Sequence, residues 1–189
     1  YINGEATFID THIRQCTALS SYGGLWPVGY SRMTMIRGAI TECTAPAFGG
    51  AAYMETGNSL ALIDVLVDRC RTTGTGGDAK GGGIVVAGGG LQMSGGGFRE
   101  CESLKSQGGG LAVLSGEAQL TGVAFYGCKA MEGAGVYYRG GDLWLADVSF
   151  ESCSASEYGA LRIEGAEPKL RANRVHFAKC HAKAYAGIK

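Results

Sequence analysis

The chain is short of the features that place a sequence quickly. It has only three prolines in 189 residues, and its 17 Lys+Arg are balanced by 17 Asp+Glu. With so little proline, and a hydrophobic fraction of 46%, it is neither a proline-rich linker nor a disordered tract. Without a basic block to follow a phosphate backbone, no nucleic-acid partner is expected. No run of about 18 or more apolar residues occurs, so no transmembrane helix is expected, while peripheral association with a membrane stays open. The chain starts at Tyr1 without a charged and apolar leader. A leader removed on export would leave the same trace, so secretion also stays open.

What is present is a period. Cys16, Cys43, Cys70, Cys101, Cys128, Cys153 and Cys180 follow one another at intervals of 27, 27, 31, 27, 25 and 27 residues. Self-similarity at this spacing is the mark of a solenoid, in which each unit buries its apolar face against the next. The ten residues before each cysteine keep their length and pattern: Leu60-x-Leu62-x-x-Val65-x-Val67-x-x-Cys70, Leu143-x-Leu145-x-x-Val148-x-Phe150-x-x-Cys153, Leu170-x-Ala172-x-x-Val175-x-Phe177-x-x-Cys180. Alternating pairs separated by two-residue corners are short strands bent around one core; a helix would show a 3.6 period. After each cysteine come a small residue, glycines and an aliphatic pair such as Leu111 and Val113. Glycine there permits positive φ and close stacking at a corner.

These segments predict an all-β protein, a right-handed parallel β-helix of the pectate-lyase-like kind with about seven coils of roughly 27 residues, in one domain over 1–189. The handedness comes from the crossover rule for parallel strands. Strands about 4.8 Å apart would make a rod on the order of 34 Å long. The extra residues of 71–80 are expected to bulge from a corner as a loop. The repeat is still running at Ala186-Gly187-Ile188, so the chain is read as part of a longer polypeptide or an assembly whose neighbours cap the solenoid ends.

Phe125-x-x-Cys128-x-Ala130 followed by Gly133-Ala134-Gly135-Val136, and Phe150-x-x-Cys153-x-Ala155 followed by Gly159-Ala160-Leu161, resemble the FxxN and GGA[ILV] motifs of polymorphic outer-membrane-protein repeats, with cysteine in place of asparagine. The resemblance implies a β-helix passenger displayed at the cell surface or secreted, with an adhesive role. The Gly- and Cys-rich repeats are also similar to those of algal and protist proteins, which implies an organellar assembly as the alternative.

Chemistry is thinly represented. One cysteine per coil reads as an inward column of free thiols acting as small hydrophobes, because stacked neighbours stand too far apart for easy disulfides. There is no CxxC, and Gly74 to Lys80 lacks the Ser or Thr of a phosphate loop, so no metal and no cofactor are expected. Asp64 and Asp68 form the best local carboxylate pair for a polysaccharide lyase or hydrolase, the enzymatic alternative for this fold. Their expected neighbours in stacking register are Arg37 and Arg99, and columns such as Asp10/Arg37/Asp64 and Glu42/Arg69/Glu100 read as cross-strand charge pairs. The row Thr7, Thr34, Ala61, Gln92, Gln119, Trp144 and Arg171 is too irregular for an ice-binding face.

The leading expectation is therefore a non-catalytic structural or protein-binding solenoid, a scaffold or accessory subunit. Its candidate partner-binding residues are Ile9, Ile36, Ile63 and Leu66. At the corner position of Ile9, Ile36 and Ile63 the later coils carry Ser94, Thr121 and Asn173, and Leu66 lies next to this row at an outward position. With Ala39 they would form an apolar strip in the N-terminal half.

Overall fold

A computed structural model describes residues 4–74, 80–165 and 169–184. Within them every paired strand is parallel to its neighbours, and the chain winds as a β-solenoid of about six turns of roughly 27 residues. Seven cysteine stations bound six intervals, which accounts for the count. Strands Arg32–Thr41, Ser59–Asp68, Ile84–Ser94, Leu111–Thr121, Asp142–Glu151 and Lys169–Ala178 carry most of the wall. A second sheet of six short strands, from Thr44–Ala45 to His181–Ala182, lies just past the cysteines.

The register matches the sequence pattern coil for coil. Leu60, Leu91, Ala118 and Leu143 stack as one inward column, and Leu62, Met93, Leu120 and Leu145 as the next, all buried. Past the first corner Ile13, Ile40, Val67, Phe98, Phe125, Phe150 and Phe177 share one column. Its four rings lie nearly parallel with centroids 4.7 to 4.8 Å apart. This offset-stacked ladder is possible because the coil spacing of a parallel sheet lies within the preferred range of aromatic pairs.

The corner opposite the ladder makes room for it. A Cβ added to Gly110 would lie 2.7 Å from the Phe125 ring, and one on Gly135 would lie 2.4 Å from Phe150. Glycine is thus required there by volume.

Both two-residue bends are built on left-handed backbone. The first corner stacks Asp10, Arg37, Asp64, Gly95, Gly122, Asp147 and Arg174, and the second Gln15, Glu42, Arg69, Glu100, Gly127, Ser152 and Lys179. All of them have φ between 49° and 66°, and every non-glycine residue of positive φ among the described residues stands in one of these two columns. The strained conformation is held by hydrogen bonds to the next coil, as in Asp10 N–H to Ile36 O at 2.9 Å and Arg69 N–H to Arg99 O at 2.8 Å.

All seven cysteines are free; Cys43, Cys70, Cys101, Cys128 and Cys153 are buried, while Cys16 and Cys180 are partly exposed. The Cys101 thiol donates to Val67 O at 3.5 Å and that of Cys153 to Phe125 O at 3.6 Å, and with Cys70, Cys128 and Cys180 these thiols tie their coils to the one below. Burial pushes the Cys128 thiol up, away from the reactive thiolate. The expected loop at 71–80 is narrower than its sequence: Arg71–Thr72 is a strand, and Lys80 is buried and bridges Phe48 and Gln107. Residues 75–79 of that loop lie outside the described residues, as does the expected restart at 186–188.

Candidate protein-docking face

Ile9, Ile36 and Ile63 stand directly above one another, in the column that continues as Ser94, Thr121, Ala146 and Asn173. Each is the last residue before the left-handed first corner, where the strand direction swings and the side chain can no longer turn into the core. Ile9 is 54% exposed and Ile63 38%, with Ile36 between them half-buried. Ala39 and Leu66, stacked on each other beyond the corner, are half-buried too. The strip is therefore part of the outer surface, though its middle is less open than its ends.

The corner column divides Ile9, Ile36 and Ile63 from Ala39 and Leu66 with charge. Arg37 donates from Nε and Nη2 to the two oxygens of Asp10 at 2.9 and 3.1 Å, and this hydrogen-bonded pairing holds the Asp10 carboxyl below its ordinary value. Asp64, at the same corner one coil on, covers Gly95, where an added Cβ would lie 2.2 Å from its Oδ1. The isoleucine column is thus an apolar strip bordered on its corner side by ion-paired residues, with Ala39 and Leu66 beyond them.

The candidate carboxylate pair is not brought together. Asp64 is exposed at the first corner, whereas Asp68 is only 1% exposed and is gripped by Arg99 at 2.7 Å and Arg69 at 3.0 Å. Arg99 donates a hydrogen bond that, ahead of the charge of either arginine, lowers the Asp68 carboxyl below the usual range. Arg69 meets Glu42 at 3.1 Å as the column predicts, but its second acid is Asp68 in its own coil and not Glu100. The side chain before the corner is simply nearer than the one stacked above.

A hollow of about 430 Å³ lies beside this corner, lined by Arg69, Arg71, Glu100, Glu102, Tyr126 and Lys129 among others. Glu102 is held there by Lys129 at 3.1 Å. Among the described residues no group of three or more His, Cys, Asp or Glu is placed to hold a metal ion.

One cluster is not evident from the repeat pattern. Val85, Ala112 and Tyr137 occupy the outward positions of their strands yet are buried, with Phe48, Tyr53, Ala87 and Leu114 packed around them. Tyr22 stacks on Tyr53 at 4.2 Å at one end of this layer. At the other end the Tyr137 hydroxyl donates to Glu164 at 2.6 Å, and Arg162 faces Glu132 at 3.7 Å. Burial pushes the Glu132 carboxyl up and Arg162 pulls it back. The available signal was that the middle residue of the aliphatic segments, as in Ile84-Val85-Val86, is apolar in successive coils.

The chain matches no protein-family model, no curated protein and no solved structure. Among the described residues no helix is long and apolar enough to cross a membrane.

Proposed function

We propose that this chain is a non-catalytic β-solenoid that docks a protein partner through Ile9, Ile36, Ile63 and Leu66, acting as a scaffold or accessory subunit. The observation that carries the reading is the stacked isoleucine column itself: three β-branched side chains in register, left partly open to solvent on a wall whose later coils carry Ser94 and Thr121 at the same place. Contiguous apolar surface is costly to expose in water and is covered when a partner is present.

The resemblance to polymorphic outer-membrane-protein repeats favours a second version of this reading, an adhesin-type passenger at the cell surface. Its support is that the motif residues meet in space: the glycine of Gly133-Ala134-Gly135 packs on Phe150. An organellar assembly is the alternative setting for the same docking face.

The test is association in a native preparation. A photo-cross-linking residue at position 66 should capture a co-purifying protein, and Ile36→Lys with Ile63→Lys should abolish that capture while the circular dichroism spectrum and melting temperature stay near wild type. Unchanged association in a folded double variant refutes the strip as the interface.

A further inference from the structure

The second corner carries a feature that the isoleucine strip does not use. The hollow of about 430 Å³ beside it, within the size range of small-molecule sites, spreads over the corner column and the start of the short sheet past the cysteines. It exists because the corner column runs Arg69, Glu100, Gly127, Ser152, so that two long side chains are followed by a position with none and a position with a short one. Tyr126, 47% exposed, precedes the bare corner and Lys129 follows it, and both line the hollow. The Glu100 stem leans over the exposed backbone, its Cγ 3.4 Å from where a Cβ on Gly127 would lie.

The charges facing this hollow are unevenly satisfied. Arg69 is held by Glu42 at 3.1 Å and by Asp68 at 3.0 Å, and Glu102 by Lys129 at 3.1 Å. Arg71 stacks beneath Glu102 in the short sheet, but Glu102 already has Lys129 on its other side. Glu100 stands between Arg69, which is turned to its own two acids, and Gly127, which offers no side chain. Arg99, whose charge Glu100 feels, is hydrogen-bonded to Asp68 at 2.7 Å. Among the described residues neither Arg71 nor Glu100 makes an ion pair, with each other or with any other side chain. One hollow therefore holds a guanidinium and a carboxylate, both without partner, at diagonal positions of adjacent coils.

A ligand that answers both groups carries an anion and a cation a few atoms apart. Single exposed ion pairs contribute little, so a purely anionic or purely cationic molecule gains almost nothing here over water. A molecule that makes both contacts at once loses its free motion only once for the two. The absent side chain at Gly127 lets a small charged head come close to the corner backbone, and the Tyr126 ring offers apolar surface beside it.

We propose that this hollow binds a free α-amino acid as its zwitterion, with Arg71 at the carboxylate, Glu100 at the ammonium and the Tyr126 ring beside an apolar or aromatic side chain. The inference does not depend on the isoleucine strip, which lies at the other corner. The experiment is ligand-observed NMR titration of the whole chain with L-phenylalanine, with N-acetylphenylalanine, which keeps only the anion, and with phenylalaninamide, which keeps only the cation.

Saturable phenylalanine binding about tenfold or more tighter than that of either capped form is expected. Arg71→Gln should bring phenylalanine down to the level of phenylalaninamide, and Glu100→Gln should bring it down to that of N-acetylphenylalanine. Both side chains are exposed, so these variants should keep the wild-type melting profile. Ser152→Arg should abolish binding by filling the hollow, at a corner position where other coils already accommodate Arg69 and Lys179. Tyr126→Ala should weaken phenylalanine more than it weakens free alanine. No saturable phenylalanine binding, equal binding of either capped form, or wild-type binding by the Arg71→Gln or Glu100→Gln variant would each overturn the proposal. Ile36→Lys should leave this binding intact, which separates its outcome from that of the docking face.

Discussion

The corner residues show how far a single backbone angle governs this chain. Aspartate, arginine, glutamate and lysine in left-handed conformation each cost on the order of 1 kcal/mol relative to glycine, and eleven non-glycine residues among those described are held there. Ser152→Gly should therefore stabilise by about 0.5–1 kcal/mol in denaturant unfolding, after allowing for the greater freedom of glycine in the unfolded chain. Gly127→Val is the converse. Only Glu100 Cγ, at 3.4 Å, lies near the site of its new Cβ, so an expected loss of about 1–2 kcal/mol would report the backbone angle and not a clash. Asp68 gives the charge-based counterpart. Its folded carboxyl binds a proton less readily than the unfolded one, so its contribution is present above the unfolded value near pH 4 and is withdrawn as pH falls through the lower folded value. Asp68→Ala should cost about 2–3 kcal/mol at pH 7, discounting for half-exposed arginines, and should flatten the acid limb of the stability curve. An unaltered acid limb would show that the pair does not differ between folded and unfolded chains. These columns were legible in the sequence as alternating charge, yet not as strained corners, because charged residues do not announce positive φ as Gly95, Gly122 and Gly127 do at the same positions.

At the level of strands and columns, the aromatic ladder and the glycines facing it form one unit. Phe125→Ala should destabilise by about 3–5 kcal/mol, since the cavity it leaves is walled by the buried rings of Phe98 and Phe150, and Phe150 stays stacked on Phe177. Gly110→Ala should cost about 1–3 kcal/mol by overpacking against that ring. Combined with Phe125→Ala it should cost less than the sum, because loss of the ring vacates part of the space the methyl needs, the Gly135 carbonyl oxygen at 2.8 Å remaining. Strict additivity in that double-mutant cycle would mean that the two positions do not share a volume. The ladder could be read directly from Phe98, Phe125, Phe150 and Phe177, since the segment between corner and cysteine has constant length. The outer layer around Val85, Ala112 and Tyr137 could not, because inward and outward positions of that segment are both apolar and alternation then carries no direction. The isoleucine strip was visible as a column, but its partial burial at Ile36 depends on how the corner twists, which a spacing does not encode.

For the molecule as a whole, a solenoid has no centre toward which every element packs, so stability is a sum of coils and of contacts between adjacent coils. The inner coils have both neighbours: within Leu111–Thr121, the inward Leu111, Val113, Ala118 and Leu120 are at most 1% exposed. By contrast, Glu5–Ile9 and Lys169–Ala178 contain no fully buried residue. Their Phe8, Leu170, Val175 and Phe177 are only partly covered. Native-state hydrogen exchange of the 189-residue chain should accordingly be graded. Amides of 84–94 and 111–121 should approach the protection set by global unfolding, while those of 5–9 and 169–173 exchange through smaller openings with a weaker dependence on denaturant. Phe125→Ala adds a discriminating step, because it removes contacts to coils on both sides of one plane. If coupling between coils is strong, protection falls by the same amount in 84–94, one coil from residue 125, and in 32–41, three coils away; if it is short-ranged, the loss is large in 84–94 and small in 32–41. Uniform exchange across all coils in the unmutated chain would refute the nearest-neighbour description and require the columns of rings and thiols to act as continuous cooperative rods.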